Sequence, residues 1–412
     1  MAEKTKQHFV PKLYLRNFAQ GKIFNIYNQK NDKIINNVSY EDQCYKNNFY
    51  GKDKLTENEL STIESSWGSA IKNILEDCEN ISNENEKLIK QFCCFQYLRT
   101  EKAVLHTQNS LFDMTRKVMP ILLQFEGKQA TQQQIDSFAY KYSKTFEDTE
   151  KTTQRQIKMA KDFFEKLYNL KILILENNTD LEFITSDNPI IIGNEFQKEY
   201  GLGVDCMGIY FLFPLSPKIY ILLYDYKIYT SINNKKKFTI DKKTVQKLNI
   251  IQYENSLENI FSLSSNGINF IKAYIDMTCQ KIRQYLNNEY NRTRNNFLSQ
   301  KLKGRANDMF KQYLDCIDNK ILSLYCKKGY EKIDFDFLII DDLAKPFQNM
   351  MNYTMHRSAT QKEVEQRIQF MKSINNPNSE LPFKEKLYKD SKTYDLTLKW
   401  ECFLKQYYEI KE

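Results

Sequence analysis

Residues 209–226 read IYFLFPLSPKIYILLYDY. Two apolar runs, dense in β-branched and aromatic residues, flank a Pro-Leu-Ser-Pro step, the pattern of two strands with a turn between them. Pro214 and Pro217 mark the division, because a prolyl nitrogen cannot donate to a strand ladder. Strand character begins upstream at KILILEN (171–177), and EFITSDNPIII (182–192) reads as strand, turn, strand. A small antiparallel sheet is therefore expected in the middle of the chain, and what surrounds it decides the fold class.

Those surroundings are helical. From Thr56, apolar Leu60, Ile63, Trp67, Ile71 and Ile74 recur at three- and four-residue steps, the stripe of an amphipathic helix. Thr56 with Glu59 has the form of a capping box. Ser82, followed by Asn85 and Glu86, marks the start of a second helical stretch. Residues 131–168 are helical and highly charged, and helical period returns at 241–253 and 266–290 after a Lys-rich turn at 234–237. Near the front, KIFNIYNQ (22–29) and the NDKIINN after it have the form of a hairpin. Beyond residue 300 the chain is mostly helical, with one apolar run, DFDFLII (334–340), and breaks at Gly304 and NNPNSELP (375–382). The expected architecture is α+β: a helix-rich front unit with a small antiparallel sheet over residues 1–275, then a basic, mostly α-helical C-terminal extension over 276–412.

The chain has 412 residues, 41% hydrophobic and 14% aromatic, ample for a sizeable core. It shows no apolar run long enough to cross a bilayer and no apolar signal-peptide segment, so a cytoplasmic protein is expected. Its nine cysteines include no CxxC pair, which argues against structural zinc and a disulfide framework. No Walker loop, GxGxxG, HExxH, GxSxG or kinase set is present; GLGVDCMG (201–208) is read as a loop. The formal charge of +8 is mild, but its distribution is uneven. Between Thr278 and Arg305, seven cations (Lys281, Arg283, Arg292, Arg294, Lys301, Lys303 and Arg305) face one anion, Glu289, with Tyr285, Tyr290 and Phe297 among them. This is either a solvated helix face or a surface for nucleic-acid phosphates.

Residues 6–18, KQHFVPKLYLRNF, are unlike an ordinary polar, frayed terminus. They carry His8, one of three histidines, then a rigid Val-Pro step, then Tyr14, Leu15 and Phe18 at helical spacing. The stretch resembles the N-terminal signature of the domain-of-unknown-function 4238 family. CYKNNFY (44–50), ENELSTIESSW (57–67), FQYLRT (95–100) and FITSDNPI (183–190) with FPLSP (213–217) are similar to further family segments in the same order. Residues 245–262, with Asn249 and the IFS at 260–262, resemble its closing segment. The resemblance covers about residues 1–275. It implies a shared fold and a shared set of polar residues, and assigns no activity. The family's bacterial distribution makes antiphage defence one expected role.

Five motif residues could carry chemistry. His8 titrates near neutrality and can act as base, acid or metal ligand, or can be a core or capping histidine. Asp187 sits on the tight turn of ITSDNP, as a ligand or orienting carboxylate, or as the acceptor of an Asx-turn. Glu64 lies on the apolar side of its helix. Gln96 and Arg99 share a face of the next, where Arg99 either pairs with Glu64 or clamps a phosphate. His106 and His356 are assigned no role. The leading expectation is a nucleic-acid hydrolase of nuclease or RNase type, with His8 and Asp187 as acid-base groups or divalent-metal ligands, Arg99 as phosphate clamp, and Arg283, Arg292, Arg294, Lys301, Lys303 and Arg305 holding RNA or DNA. The alternative is a non-catalytic module binding nucleic acid or a partner protein, with the same motifs as framework.

Overall fold

The computed structural model describes residues 5–52, 54–125, 130–144, 149–198, 203–297, 335–376 and 391–410. The chain opens with β1 (Lys6–His8) and a single helical turn, α1 (Lys12–Leu15), followed by the hairpin β2 (Ile23–Asn28) and β3 (Lys33–Ser39) and by β4 (Tyr45–Asn47). Helices α2 (Leu55–Glu76), α3 (Asn83–Leu98), α4 (Glu101–Phe125), α5 (Gln132–Lys144) and α6 (Thr149–Leu167) come next. The strand-rich middle holds β5 (Lys171–Asn177), β6 (Thr185–Ser186), β7 (Ile191–Asn194), β8 (Ile209–Pro214), β9 (Ile219–Tyr224) and β10 (Lys237–Ile240). Then follow α7 (Lys242–Asn255), β11 (Asn259–Ser262), α8 (Ser265–Phe297), α9 (Gln361–Asn375) and α10 (Ser391–Tyr407). The fold is α+β.

Among the described residues three sheets form: β1 with β4, a four-stranded sheet in the order β3-β2-β11-β6, and a five-stranded sheet in the order β10-β5-β9-β8-β7. All pairings are antiparallel except β10 on β5. That parallel edge strand was not expected; it begins where the sequence reads only as a Lys-rich turn. The continuous apolar runs of β8 and β9 follow from burial of both sheet faces. On β9, Ile219, Ile221 and Leu223 join one core with α2, α3, α6 and the N-terminal stretch. Tyr220, Leu222 and Tyr224 point the other way, into a second core completed by α7, α9, α10 and the 335–347 segment.

Local chemistry explains most boundaries. The Ser82 hydroxyl accepts from the Asn85 amide at 3.2 Å and starts α3 as expected. The Thr56 capping box does not form. Helix α2 already begins at Leu55, with Lys54 in a left-handed conformation (φ 60°) at its N-cap and no side-chain cap hydrogen bond. The long helical stretch after Ser82 breaks into α3 and α4 at Arg99 and Thr100, where the Thr100 hydroxyl accepts from the Ala103 amide at 3.2 Å. The run around 334–340 forms neither helix nor strand among its described residues; Phe335, Phe337, Leu338 and Ile340 instead plug the second core. Helix α8 passes through residues 275 and 276 without interruption.

Candidate functional site

The opening stretch is pinned from several sides. Strand β1 pairs with β4. Buried Gln7 donates to the Gly51 carbonyl at 2.9 Å and accepts from the Tyr50 amide at 2.5 Å. Pro11 serves as the N-cap of α1, and Tyr14, Leu15 and Phe18 are fully buried. This rigid entry presents the carbonyls of His8 and Phe9 to the corner between α3 and α4.

Four of the five predicted polar residues meet there. Arg99 Nη2 donates to the His8 carbonyl at 2.8 Å and to Glu64 Oε1 at 2.7 Å, while Nε donates to the Phe9 carbonyl at 3.3 Å. Gln96 Nε2 donates to the same Phe9 carbonyl at 3.0 Å. The Arg99 side chain is 1% exposed and that of Glu64 23%, so the guanidinium faces inward and the carboxylate reaches the surface. Arg99 thus grips backbone and Glu64 within the chain, in geometry suited to positioning His8.

The His8 ring is half-buried beside Tyr45, at 5.5 Å between centroids. Nε2 lies 3.1 Å from the Glu41 carbonyl, which can only accept, so Nε2 carries the proton of the neutral ring and Nδ1 keeps its lone pair. Nδ1 has no partner among the described residues. Burial lowers the pKa of His8, with Lys12 and Arg99 acting in the same direction against the Glu41 carbonyl and Glu64. The ring is therefore neutral at physiological pH.

Beside it lies a groove of about 850 Å³, lined by His8, Glu64, Lys12, Arg16, Lys72 and a serine row, Ser61, Ser65 and Ser69, among others. Lys12 and Arg16 are exposed on its wall and make no ion pair among the described residues, whereas Lys6 pairs with Asp42 at 2.9 Å.

Asp187 is held elsewhere. Its carboxylate, on a residue 5% exposed, accepts from three successive backbone amides, Leu257 at 2.8 Å, Glu258 at 2.7 Å and Asn259 at 2.8 Å. Such a nest of N–H groups satisfies an anion locally and ties the TSDNP turn to the strand β11. Among the described residues no group of three or more His, Cys, Asp or Glu side chains is arranged to hold a metal ion.

Of the predicted basic surface, Arg283 is half-buried on α8, and Arg292 and Arg294 fall on the last turns of the same helix. Lys301, Lys303 and Arg305 lie outside the described residues.

Around the TSDNP turn sits a polar network that sequence reasoning overlooked. Thr100 Oγ1 donates to Asn188 Oδ1 at 2.6 Å, Gln252 Nε2 to Ser186 Oγ at 2.6 Å, and Asn255 Nδ2 to the carbonyls of Asn188 at 2.7 Å and Ile190 at 2.9 Å. The signal was available: Asn249 and Gln252 fall on the same helical face as Val245 and Leu248, and polar residues at core positions need specific partners.

A family model described as a protein of unknown function, DUF4238, matches residues 6–266. The chain belongs to the DUF4238 family. The DUF4238 match takes in the N-terminal stretch, the α3–α4 corner and the TSDNP turn, and ends in the first turn of α8. No curated protein and no solved structure matches the chain.

Proposed function

We propose that the protein is a hydrolase acting on the phosphodiester backbone of RNA or DNA, with the groove beside His8 as its site. The observation that carries this reading is the tethered, neutral His8 ring, whose Nδ1 has no partner among the described residues and which lines a groove with Lys12 and Arg16, two cations without ion pairs among the described residues. Nδ1 acts as general base. It takes the proton of an attacking water or ribose 2′-hydroxyl as the new O–P bond forms; the bond to the departing oxygen breaks, and that oxygen is protonated by solvent. Lys12 and Arg16 hold the phosphate by charge. Arg99 and Gln96 act as positioning residues that fix the backbone carrying His8. The chain is assigned to the cytoplasm, supported by described cysteines that are all free. Antiphage defence is the setting proposed for it.

The test is incubation of the full chain with RNA and with DNA, with and without divalent metal, beside His8→Ala and the double variant Lys12→Glu/Arg16→Glu. Cleavage that falls by about 10²–10⁴ in His8→Ala, at a melting temperature within a few degrees of wild type, supports the assignment. The double variant should bind more weakly, with a salt-dependence slope reduced by about 2. Cleavage unaffected by His8→Ala, or none of either nucleic acid, overturns it. A second reading, a non-catalytic binding module, is favoured by the inward engagement of Arg99 and Asp187. Binding without cleavage in any condition selects it.

A further inference from the structure

The groove beside His8 has two chemically different walls. Helix α1 supplies one: Lys12 and Arg16 stand one turn apart, exposed, and neither makes an ion pair among the described residues. Helix α2 supplies the other. A Cβ on Gly68 would lie 3.9 Å from Leu13, so the two helices meet at that turn. The face of α2 that lines the groove carries Ser61, Glu64, Ser65 and Ser69. Glu57 and Lys72, at the two ends of that face, add one charge of each sign. The other carboxylates lining the groove are compensated: Glu41 pairs with Lys22 at 3.1 Å, Asp42 with Lys6 at 2.9 Å and Glu64 with Arg99 at 2.7 Å. Lys12 and Arg16 therefore keep a positive field on the α1 wall.

The α2 wall is built of hydrogen-bond acceptors. The Ser65 hydroxyl donates its one proton to the Ser61 carbonyl at 3.4 Å, and the Ser69 hydroxyl donates to the Ser65 carbonyl at 3.1 Å. Each oxygen then meets the groove with lone pairs alone. Glu64 accepts from Arg99 through Oε1 and has further lone pairs on a carboxylate that reaches the surface. His8 Nδ1 is an acceptor as well. A ligand that covers such a wall must bring donors, because acceptors stripped of water without a partner oppose binding. The sugar–phosphate backbone of DNA offers acceptors throughout, whereas RNA adds a donor on every nucleotide, the 2′-hydroxyl. We propose that the groove selects RNA over DNA, with phosphates on Lys12 and Arg16 and ribose 2′-hydroxyls donating to Ser65, Ser69 and Glu64. The inference rests on the nucleic-acid reading of the groove and adds the sugar that it accepts.

The experiment measures binding to short single strands of one sequence, made as RNA, as DNA and as 2′-O-methyl RNA, by fluorescence anisotropy at fixed salt. Binding is read in the full chain and in its His8→Ala variant, and cleavage is followed in parallel. RNA should bind about tenfold or more tighter than either other strand, as expected of two hydrogen bonds that only RNA can make. The 2′-O-methyl strand keeps the RNA sugar but lacks the donor, which separates hydrogen bonding from sugar shape. Ser65→Ala/Ser69→Ala should bring the RNA affinity down towards that of DNA. Both serines are exposed and Ala is the better helix former, so this variant is expected to fold. Selective RNA binding without cleavage supports the inference and removes the hydrolase reading. Equal affinity for RNA and DNA, or an RNA preference unchanged in the serine variant, overturns the inference, and cleavage of both strands then leaves the hydrolase reading standing. No binding to any strand overturns both.

Discussion

The hydroxyl of Tyr14 donates to the carbonyl of Pro214 at 2.7 Å, across 200 residues of chain. The same oxygen lies 2.8 Å from Thr185 Oγ1, so one buried phenol joins the N-terminal stretch, the TSDNP turn and the FPLSP strand. A buried hydroxyl with two partners leaves two groups unsatisfied when it is removed. Tyr14→Phe should therefore cost about 1–3 kcal/mol in urea unfolding. A double-mutant cycle with Thr185→Val should show coupling above about 0.5 kcal/mol; additive losses would mean that the contact carries no specific energy.

Arg99 combines a buried charge with two backbone carbonyls and one carboxylate. Replacing it with Met leaves the His8 carbonyl without its donor and Glu64 without its cation, while Gln96 still serves the Phe9 carbonyl, and about 1–3 kcal/mol of stability should be lost. Arg99→Lys should recover less than half, since a single ammonium cannot reproduce the planar fork that reaches three acceptors. Denaturation midpoints measure both, and full recovery by Lys would contradict the geometry.

Asp187 should behave as a local staple. Asp187→Ala deletes the acceptor for three amides, and about 2–4 kcal/mol is expected from hydrogen bonds to a charged group. Hydrogen exchange at Leu257, Glu258 and Asn259 should accelerate well beyond that of neighbouring amides in α7. Protection retained there would show that the nest does not depend on the carboxylate.

The His8 proton gives stability a pH dependence of defined sign. Burial lowers its pKa below the ordinary value of 6.5, so the unfolded chain binds this proton more tightly than the folded one. Its contribution is fully present above about pH 6.5 and declines as pH falls from there towards the lower folded value. His8→Gln should flatten the stability profile across that interval. A wild-type profile that rises on acidification through the interval would have the wrong sign.

Much of this was legible beforehand because it is local. Apolar strand runs, helical stripes and the Ser82 cap arise from neighbouring residues, and β5, β8, β9, α2, α3 and α7 lie where those local patterns occur. The misplaced start of α2 is equally local: Thr56 and Glu59 have capping chemistry, yet the helix extends past them to Leu55. Edge strand β10 was hidden because four residues beginning in a Lys-rich turn pair with β5 only once the sheet exists.

The candidate site divides in the same way. His8, Glu64, Gln96 and Arg99 could be chosen from motif and residue chemistry, but their directions could not. The Arg99 fork turns towards carbonyls some 90 residues away, and the Asp187 carboxylate towards amides some 70 residues away. By itself the amino-acid sequence determined an α+β chain whose central strands must be covered on both faces, since IYFLFP and IYILLY alternate apolar with apolar. Only the tertiary structure decided that α9 and α10 help to cover the second face, that Arg99 is turned inward, and that Arg357 Nε is buried without a partner among the described residues. The physical reason is that periodicity reports whether a face must be buried, whereas the partner that buries it is chosen by shape and hydrogen bonding between segments distant in the chain.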